Sequence, residues 1–472
     1  MSQTVQVTLV LGVDIGSTTT KAALVAVGDA VSVIHLARRP TPTDVPGLLD
    51  AVAAVVRESV AAASEPISAV GIASMAESGA ALDAGGAPLT GLLRWDRPVD
   101  PAHLDALLDA HPSLPASTGV PATTKPAAVV LTALRAENPG VFAAMRHWAG
   151  VADLIAHALT GERATDHTLA ARTMLAGRDG AAWDADLIHS LGIDPSALPS
   201  LRAPGEPAGA TRPGAFGLDA GIPVFIAGHD HAVGAWAVGA RHPGDVADSL
   251  GTAEAIVRIT DAVDPGPAVA DGFSVGRTVD GAARTILGGS RACGAMLSWW
   301  EAEHPADRVL ERLAALPADR WTPSPTVVLP YPTGRQCPRP SSGARVRIVG
   351  EADDADSRIR GLLQSLVAHA RWMRESADDL AGSPSTGVTV LGSLAERIPS
   401  WAPLIAASGL STSLCAVAEP VAAGAALLAG VRAGIVPAGT TLRRAAVAPA
   451  RDAGFEDIHR RFLAAASAEG EA

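Results

Sequence analysis

Several short segments of this chain hold residues whose types and spacing could hold a phosphate or a hydrated metal ion or act on a hydroxyl group. The run Asp14-Ile15-Gly16-Ser17-Thr18-Thr19-Thr20-Lys21 places a carboxylate ahead of a turn of glycine and small hydroxyl residues. Backbone N–H groups and hydroxyls of such a turn close on phosphate oxygens, and a carboxylate at a strand end holds a hydrated Mg²⁺. An ordinary polar hairpin turn draws on the same residue types. The chain has no Walker G-x-x-x-x-G-K-[ST] sequence. Asp230, in Gly228-His229-Asp230-His231, reads as a general base that takes the proton of an attacking hydroxyl, or as a helix N-cap. His229 and His231 raise the thought of a metal, but residues two apart near a strand end do not build a metal cage alone. Glu77 and the pair Trp95-Asp96 could bind a polyol, since a ring face packs against C–H surface and carboxylates accept hydroxyl protons. Their bland alternatives are a surface acid and a core tryptophan.

The elements that must carry these residues alternate between strands and helices. VQVTLVLGVDIGS and KAALVAV read as a strand, a polar turn and a returning strand, with VSVIHLARR as a third after the Gly28-Asp29 turn signal. Residues 47–63 show apolar positions at helical spacing, and ISAVGIAS returns to strand. Residues 101–200 read mostly as helices, including AVVLTALRAE and HWAGVADLIAHALTG. GIPVFIAG is a buried strand leading into HDHAVGAWAVGA, a helix of small residues. GDVADSLGTAEAIVRIT then repeats the opening strand, turn and strand, with its turn at Gly251-Thr252. That repeat fits two related halves that each offer a turn to one ligand. TPSPTVVLPYPTGRQCPRPSSGARVR reads as an ordered surface loop. SRIRGLLQSLVAHARWMRESADDLA follows as a long amphipathic helix with a single apolar stripe. The alternation predicts an α/β layer architecture.

Composition narrows the partners. In 472 residues, 37 Lys+Arg stand against 49 Asp+Glu for a net charge of −12, which argues against an electrostatic grip on nucleic acid or an anionic membrane. The only lysines are Lys21 and Lys125. The three cysteines are far apart and outside any C-x-x-C spacing, against a disulfide framework or thiolate zinc site. With neither a signal-peptide pattern nor a spanning segment, a cytoplasmic protein is expected.

Taken in order, these segments resemble the FGGY carbohydrate kinases of the actin-like, RNase H-fold ATPase superfamily. Asp14 to Lys21 is similar to the family's first phosphate motif, and SMAESGAALDAGGAPLTGLLRWD to its sugar-contact region. GHDHAVGA resembles the segment with the catalytic aspartate, and DSLGTAEAI the second phosphate motif. LGSLAERIPSWAPLIAASG and EPVAAGAALLAG resemble the adenosine-binding region. The resemblance implies two actin-like ATPase (RNase H-like) domains with a nucleotide- and sugar-binding cleft between them. It sets an N-terminal domain at 1–240, a C-terminal domain at 241–455 and a charged tail at 456–472. It implies ATP and Mg²⁺ as cofactors, Asp230 as catalytic base, and Glu77, Trp95, Asp96 and Asp230 as substrate contacts. Asp14, Gly16, Ser17, Thr18, Thr19, Gly251, Thr252, Gly392 and Ser393 would hold nucleotide, with Asp14 positioning the metal's waters. The expected partner is a small sugar or polyol, with no nucleic acid, no membrane, and a homodimer as one candidate assembly. The chain departs from the family pattern at Gly392-Ser393 and Arg397, at Gln364-Ser365, at Glu77-Ser78 where xylulose kinases have His-Gly, and at Asp96-Arg97. Those departures bear on sugar and adenine recognition, not on the phosphate machinery.

Overall fold

The computed structural model describes residues 7–28, 30–351, 354–452 and 454–468. Asp29 of the expected Gly28-Asp29 turn and residues 469–472 of the expected tail lie outside them. The chain divides into two compact units: Met1–Gly239 with Val275–Ala282 and Glu419–Leu442, and Ala240–Ser274 with Ala283–Ala418 and Arg443–Ala472.

In the first unit, β-branched and apolar residues build β1 (Thr8–Ile15), β2 (Thr19–Val27), β3 (Val31–Pro40) and β4 (Ile67–Ser74), later joined by β5 (Gly209–Ala210) and β6 (Pro223–His229). The sheet order is β3-β2-β1-β4-β6-β5, with β1, β4 and β6 parallel and the other pairings antiparallel. Successive side chains alternate faces. Leu9, Leu11, Val13 and Ile15 pack into one core with the helices Val45–Ala61 and Val151–Thr160. Asp44 starts the first of these helices by accepting the Gly47 N–H at 2.8 Å.

The opposite face carries Gly12 and Gly71, which are register partners on β1 and β4. Across them lies the helix Pro420–Arg432, whose Ala422, Ala425 and Ala426 approach so closely that a Cβ on Gly12 would stand 1.9 Å from Ala422 O, and one on Gly71 2.0 Å from Ala425 O. Small residues on both sides let the backbones meet. The segment EPVAAGAALLAG, expected with the adenosine region at 241–455, packs on the first sheet and belongs to the same compact unit as Met1–Gly239. A second apolar cluster of this unit joins Leu107, Val129, Leu131, Trp148 and Leu175 among the helices after residue 100. The segment HWAG, expected to start a helix, is instead a strand, because His147–Gly150 pairs antiparallel with Gly79–Leu82.

The second unit repeats the opening topology. β7 (Asp245–Leu250) pairs antiparallel with β8 (Glu254–Thr260), β8 with β9 (Arg284–Ser290), and β7 runs parallel to β10 (Gly387–Leu391). β11 (Thr412–Cys415) continues in parallel and β12 (Arg444–Ala446) closes antiparallel. The helix Ala355–Ala381 buries Ile359, Leu362, Leu363, Leu366, Ala370, Met373 and Ala377 along its stripe. Arg258 of β8, fully buried, ties its end down by donating to Asp378 at 2.9 Å and to the Ser383 carbonyl at 3.0 Å. Gln364 and Ser365 accept N–H groups of Ser324 and Val328 at 3.0 and 2.9 Å. The Pro-rich segment expected as a surface loop is therefore drawn inside, with Val328, Tyr331 and Cys337 buried. Residues 456–467 of the expected charged tail belong to the helix Phe455–Ser467, which buries Phe455, Ile458 and Phe462.

Candidate functional site

Three parallel strands of the first unit end in register. Ile15 of β1 is beside Ser74 of β4, and Ser74 is beside His229 of β6. Asp14, the loop after Ser74 and Asp230 therefore emerge at one carboxyl edge, the edge at which open α/β sheets bind ligands.

Asp14 is 3% exposed. Its Oδ2 meets Lys21 Nζ at 3.1 Å, the same Nζ lies 3.0 Å from Glu419, and Arg38 reaches Glu419 at 2.9 Å. Burial pushes the Asp14 carboxyl up to about 6 against the opposing pull of Lys21, and the Asp230 charge adds to the rise. Burial pulls the Lys21 ammonium down, but Asp14 and Glu419 outweigh it and hold it above its usual range. Asp14 Oδ1 is buried with no hydrogen-bond partner. An acceptor of that kind fits the water of a hydrated Mg²⁺.

The turn after Asp14 is braced from behind. Gly16 N–H donates to Thr19 O at 3.1 Å, Thr41 N–H donates to Thr18 O at 3.0 Å, and the Thr41 hydroxyl donates to Gly16 O at 2.8 Å. None of these bonds uses the N–H of Ser17 or Thr18, the donors a phosphate would take.

Asp230 opens the helix Asp230–Ala237, whose N-cap is His229 and has no side-chain cap bond. Asp230 is thus not the cap: its own backbone is already helical, and its Oδ1 accepts the neighbouring His231 N–H at 2.7 Å. The same oxygen lies 3.2 Å from His229 Nε2 and 3.9 Å from His231 Nε2. Burial pushes the His229 imidazole down to about 4, so it is neutral at pH 7.

A buried network holds this corner. Thr168 accepts the His229 N–H at 2.9 Å and donates both its N–H and its hydroxyl to Asp166 Oδ1. His167 spans Asp166 at 3.1 Å and the Thr278 carbonyl at 3.0 Å. Burial works to raise the Asp166 carboxyl, but His167, Arg432 and Thr168 outweigh it and hold it below its usual range. Arg432 also donates to the carbonyls of Ile226 and Val279, each at 2.7 Å. Gly228, at φ +130, leaves room for this bracing, because a Cβ there would stand 2.5 Å from Thr168 Oγ1. Asp166, Thr168 and Arg432 are not among the residues expected at the site from sequence; the run Thr165-Asp166-His167-Thr168 is the visible sign of the first two.

Of the sugar-side residues, Glu77 has a left-handed backbone (φ +58) and pairs with Arg172. Arg172 Nε and Nη1 are buried without partners. Ser78 Oγ accepts the Trp95 N–H at 3.0 Å, and Lys125 Nζ sits 5.2 Å from the centre of the Trp95 ring. The second lysine of the chain, given no role by sequence, is therefore stacked on a candidate sugar platform. Asp96 is exposed and accepts from Arg94 Nε and Nη2 at 3.0 and 2.8 Å.

Glu77 and Ser78 also line a small cavity with Trp148, Asp153, Thr165 and Trp183. Asp153 Oδ2 accepts the Gly150 N–H at 2.8 Å while Oδ1 is buried without a partner. Burial pushes this carboxyl up to about 6 from the usual 3.8. A carboxyl raised on folding lends stability below its unfolded value that is lost as pH climbs through its folded value. Asp153→Asn is therefore expected to gain about 2 kcal/mol over the parent between pH 4.5 and 7.5. Urea unfolding at both pH values measures this, and a pH-independent difference would contradict it.

In the second unit, Leu250 pairs with Glu254 across the Gly251–Ala253 turn. Gly294 N–H donates to Gly251 O at 3.1 Å and Ala295 N–H to Thr252 O at 2.8 Å. Gly392, at φ +105, sits so close that a Cβ would stand 2.4 Å from Leu250 O, and Ser393 follows it on the surface. Gly251, Thr252, Gly392 and Ser393 thus gather at one sheet end, together with Gly294, which the sequence reading had not singled out. Beside this turn, burial pushes Asp248 up to about 7 and, with Asp248 adding to the effect, holds Glu254 well above the carboxylate range.

Residues 9–237 match the family described as the FGGY family of carbohydrate kinases, N-terminal domain. An L-fuculokinase of Haemophilus influenzae is 32% identical over 135 residues, 28% of this chain and 28% of that protein. The solved structure of xylulose kinase from Rhodospirillum rubrum aligns with a TM-score of 0.83 at 24% identity over 98% of each chain. Plasmodium falciparum glycerol kinase with ADP aligns with a TM-score of 0.81 at 16% identity, again over 98% of each chain. The structural likeness fixes the two-domain α/β fold along almost the whole chain. Among the described residues, no helix is long and apolar enough to cross a membrane.

Proposed function

Because the chain belongs, through residues 9–237, to the FGGY family of carbohydrate kinases, we propose that it transfers the γ-phosphate of ATP to a hydroxyl of a sugar, sugar acid or polyol. One observation carries this reading: Asp230 stands at the carboxyl edge of β6, braced by the Asp166–Thr168 network and within electrostatic reach of Asp14.

Phosphoryl transfer through a loose transition state needs alignment and charge stabilisation more than covalent chemistry from the protein. Asp230 accepts the hydroxyl proton late in the transfer, with the neutral His229 imidazole beside it. Gly16, Ser17, Thr18 and Thr19 in the first unit and Gly251 and Thr252 in the second hold phosphate oxygens, and Gly392 and Ser393 border the nucleoside. Asp14, with its unpartnered Oδ1, would hold Mg²⁺ through the metal's water, and the ion would supply charge neutralisation on the phosphates. Lys21 keeps Asp14 ionised and aimed. On the acceptor side, Glu77 and Asp96 accept hydroxyl protons and the Trp95 ring packs against C–H surface. The anionic nucleotide is held by amides, hydroxyls and metal, which suits a protein of net charge −12.

The test is ADP release by purified protein offered pentoses, ketoses, hexonates and alditols in turn. One class is expected to raise the rate at least about tenfold over background, the scale on which a polar pocket separates substrates. Hydrolysis indifferent to every class would overturn the reading.

A further inference from the structure

His229 Nε2 and His231 Nε2 flank Asp230 Oδ1 at 3.2 and 3.9 Å, and the ligand atoms of the three residues all lie within 4.8 Å of one another. The two imidazoles meet edge to face, 83° apart, with centroids separated by 5.2 Å. A tetrahedral ion with bonds of about 2.1 Å keeps its ligand atoms about 3.4 Å apart. The two His–Asp separations bracket that value. Two imidazoles and a carboxylate suit Zn²⁺ and its first-row neighbours, whereas Mg²⁺ demands an octahedron of oxygens and keeps its waters. Three protein ligands leave a fourth position for water. The cysteines that would otherwise compete for such an ion, Cys293, Cys337 and Cys415, are all buried.

We propose that His229, Asp230 and His231 form a transition-metal site, distinct from the magnesium that accompanies ATP, and that filling it silences the enzyme. A carboxylate oxygen bonded to Zn²⁺ no longer accepts a hydroxyl proton, so the bound ion removes the base without touching the nucleotide. The binding stands on geometry alone; the silencing rests on the kinase reading above.

The site is tested by titrating the full chain with Zn²⁺ alone against a chromophoric chelator, and with Co²⁺ to read coordination by its visible absorption. One equivalent is expected, with tetrahedral Co²⁺ bands. His231→Ala is expected to weaken binding at least about tenfold, since even outer-shell partners of a metal are worth that much. His231 is 31% exposed, so the alanine leaves the core intact. Failure to bind an equivalent, or equal affinity in His231→Ala, overturns the site. In a second arm, one equivalent of Zn²⁺ in excess Mg²⁺-ATP is expected to abolish substrate-stimulated ADP release, reversibly on adding a chelator. Bound Zn²⁺ with undiminished release overturns the silencing. A metal-free protein that no sugar stimulates overturns the kinase reading and the silencing together, while the stoichiometry from the first arm still decides the site.

Discussion

Asp230→Asn is expected to lower the rate of phosphoryl transfer at least about a hundredfold while ATP affinity changes by no more than about twofold, as loss of a general base does. The substitution keeps the size of the side chain and the acceptor oxygen that takes the His231 N–H at 2.7 Å. The corner itself is held by Thr168 on the His229 N–H and by Gly228, neither of which the substitution disturbs. What disappears is the negative charge. A hundredfold loss corresponds to about 2.7 kcal/mol of transition-state stabilisation. Removing that charge also relieves Asp14, whose carboxyl Asp230 helps to raise. Steady-state rates against sugar, with nucleotide binding followed separately by calorimetry, distinguish the outcomes. Full activity in the variant would remove Asp230 from the mechanism, and a matching loss of ATP affinity would mean that the corner had collapsed.

The largest effect on stability is expected from Gly71→Ala. The new methyl would stand 2.0 Å from the Ala425 carbonyl oxygen and 2.6 Å from its carbon, both main-chain atoms that cannot rotate away. The whole helix Pro420–Arg432 would have to lift off β1 and β4, and overpacking of that kind costs about 3 kcal/mol or more. Native proteins hold only about 5–15 kcal/mol in reserve. Gly140→Ala is the control, because nothing lies within 4 Å of its added carbon. Denaturant midpoints for the two variants should diverge widely; a Gly71→Ala protein as stable as the control would show that the helix is not seated as described.

Much of the first unit was legible because its signals are local. Runs of β-branched and apolar residues marked β1, β4 and β6, and the step from GIPVFIAG into a small-residue helix put Asp230 at a strand end. The repeat of strand, turn and strand at Gly251 also has a local cause, since β7 and β8 pair as β1 and β2 do. Other features depend on residues that meet only after folding. Glu419 reaches Lys21, and Arg432 reaches Ile226 O, across hundreds of intervening residues, so no short window held either pair. HWAG was misread because its apolar residues fit a helix equally well, and only Gly79–Leu82, far upstream, makes it a strand. The histidines beside Asp230 show the same limit in miniature: their spacing spoke against a metal, while the bend from strand to helix brings their ligand atoms together.

The helix over Gly12 and Gly71 also sets a timetable for synthesis. About 400 residues separate β1 from the segment that roofs it, and at 5–20 residues per second the ribosome needs roughly 20–80 s to supply them. Through that interval the nascent first sheet has one face open along its glycine strip, while strands β7 to β11 of the second unit are already being made. A chain cut near residue 240 would lack the roof permanently. The first unit is thus completed by Glu419–Leu442, which ties its final folding to translation of most of the second unit that lies between.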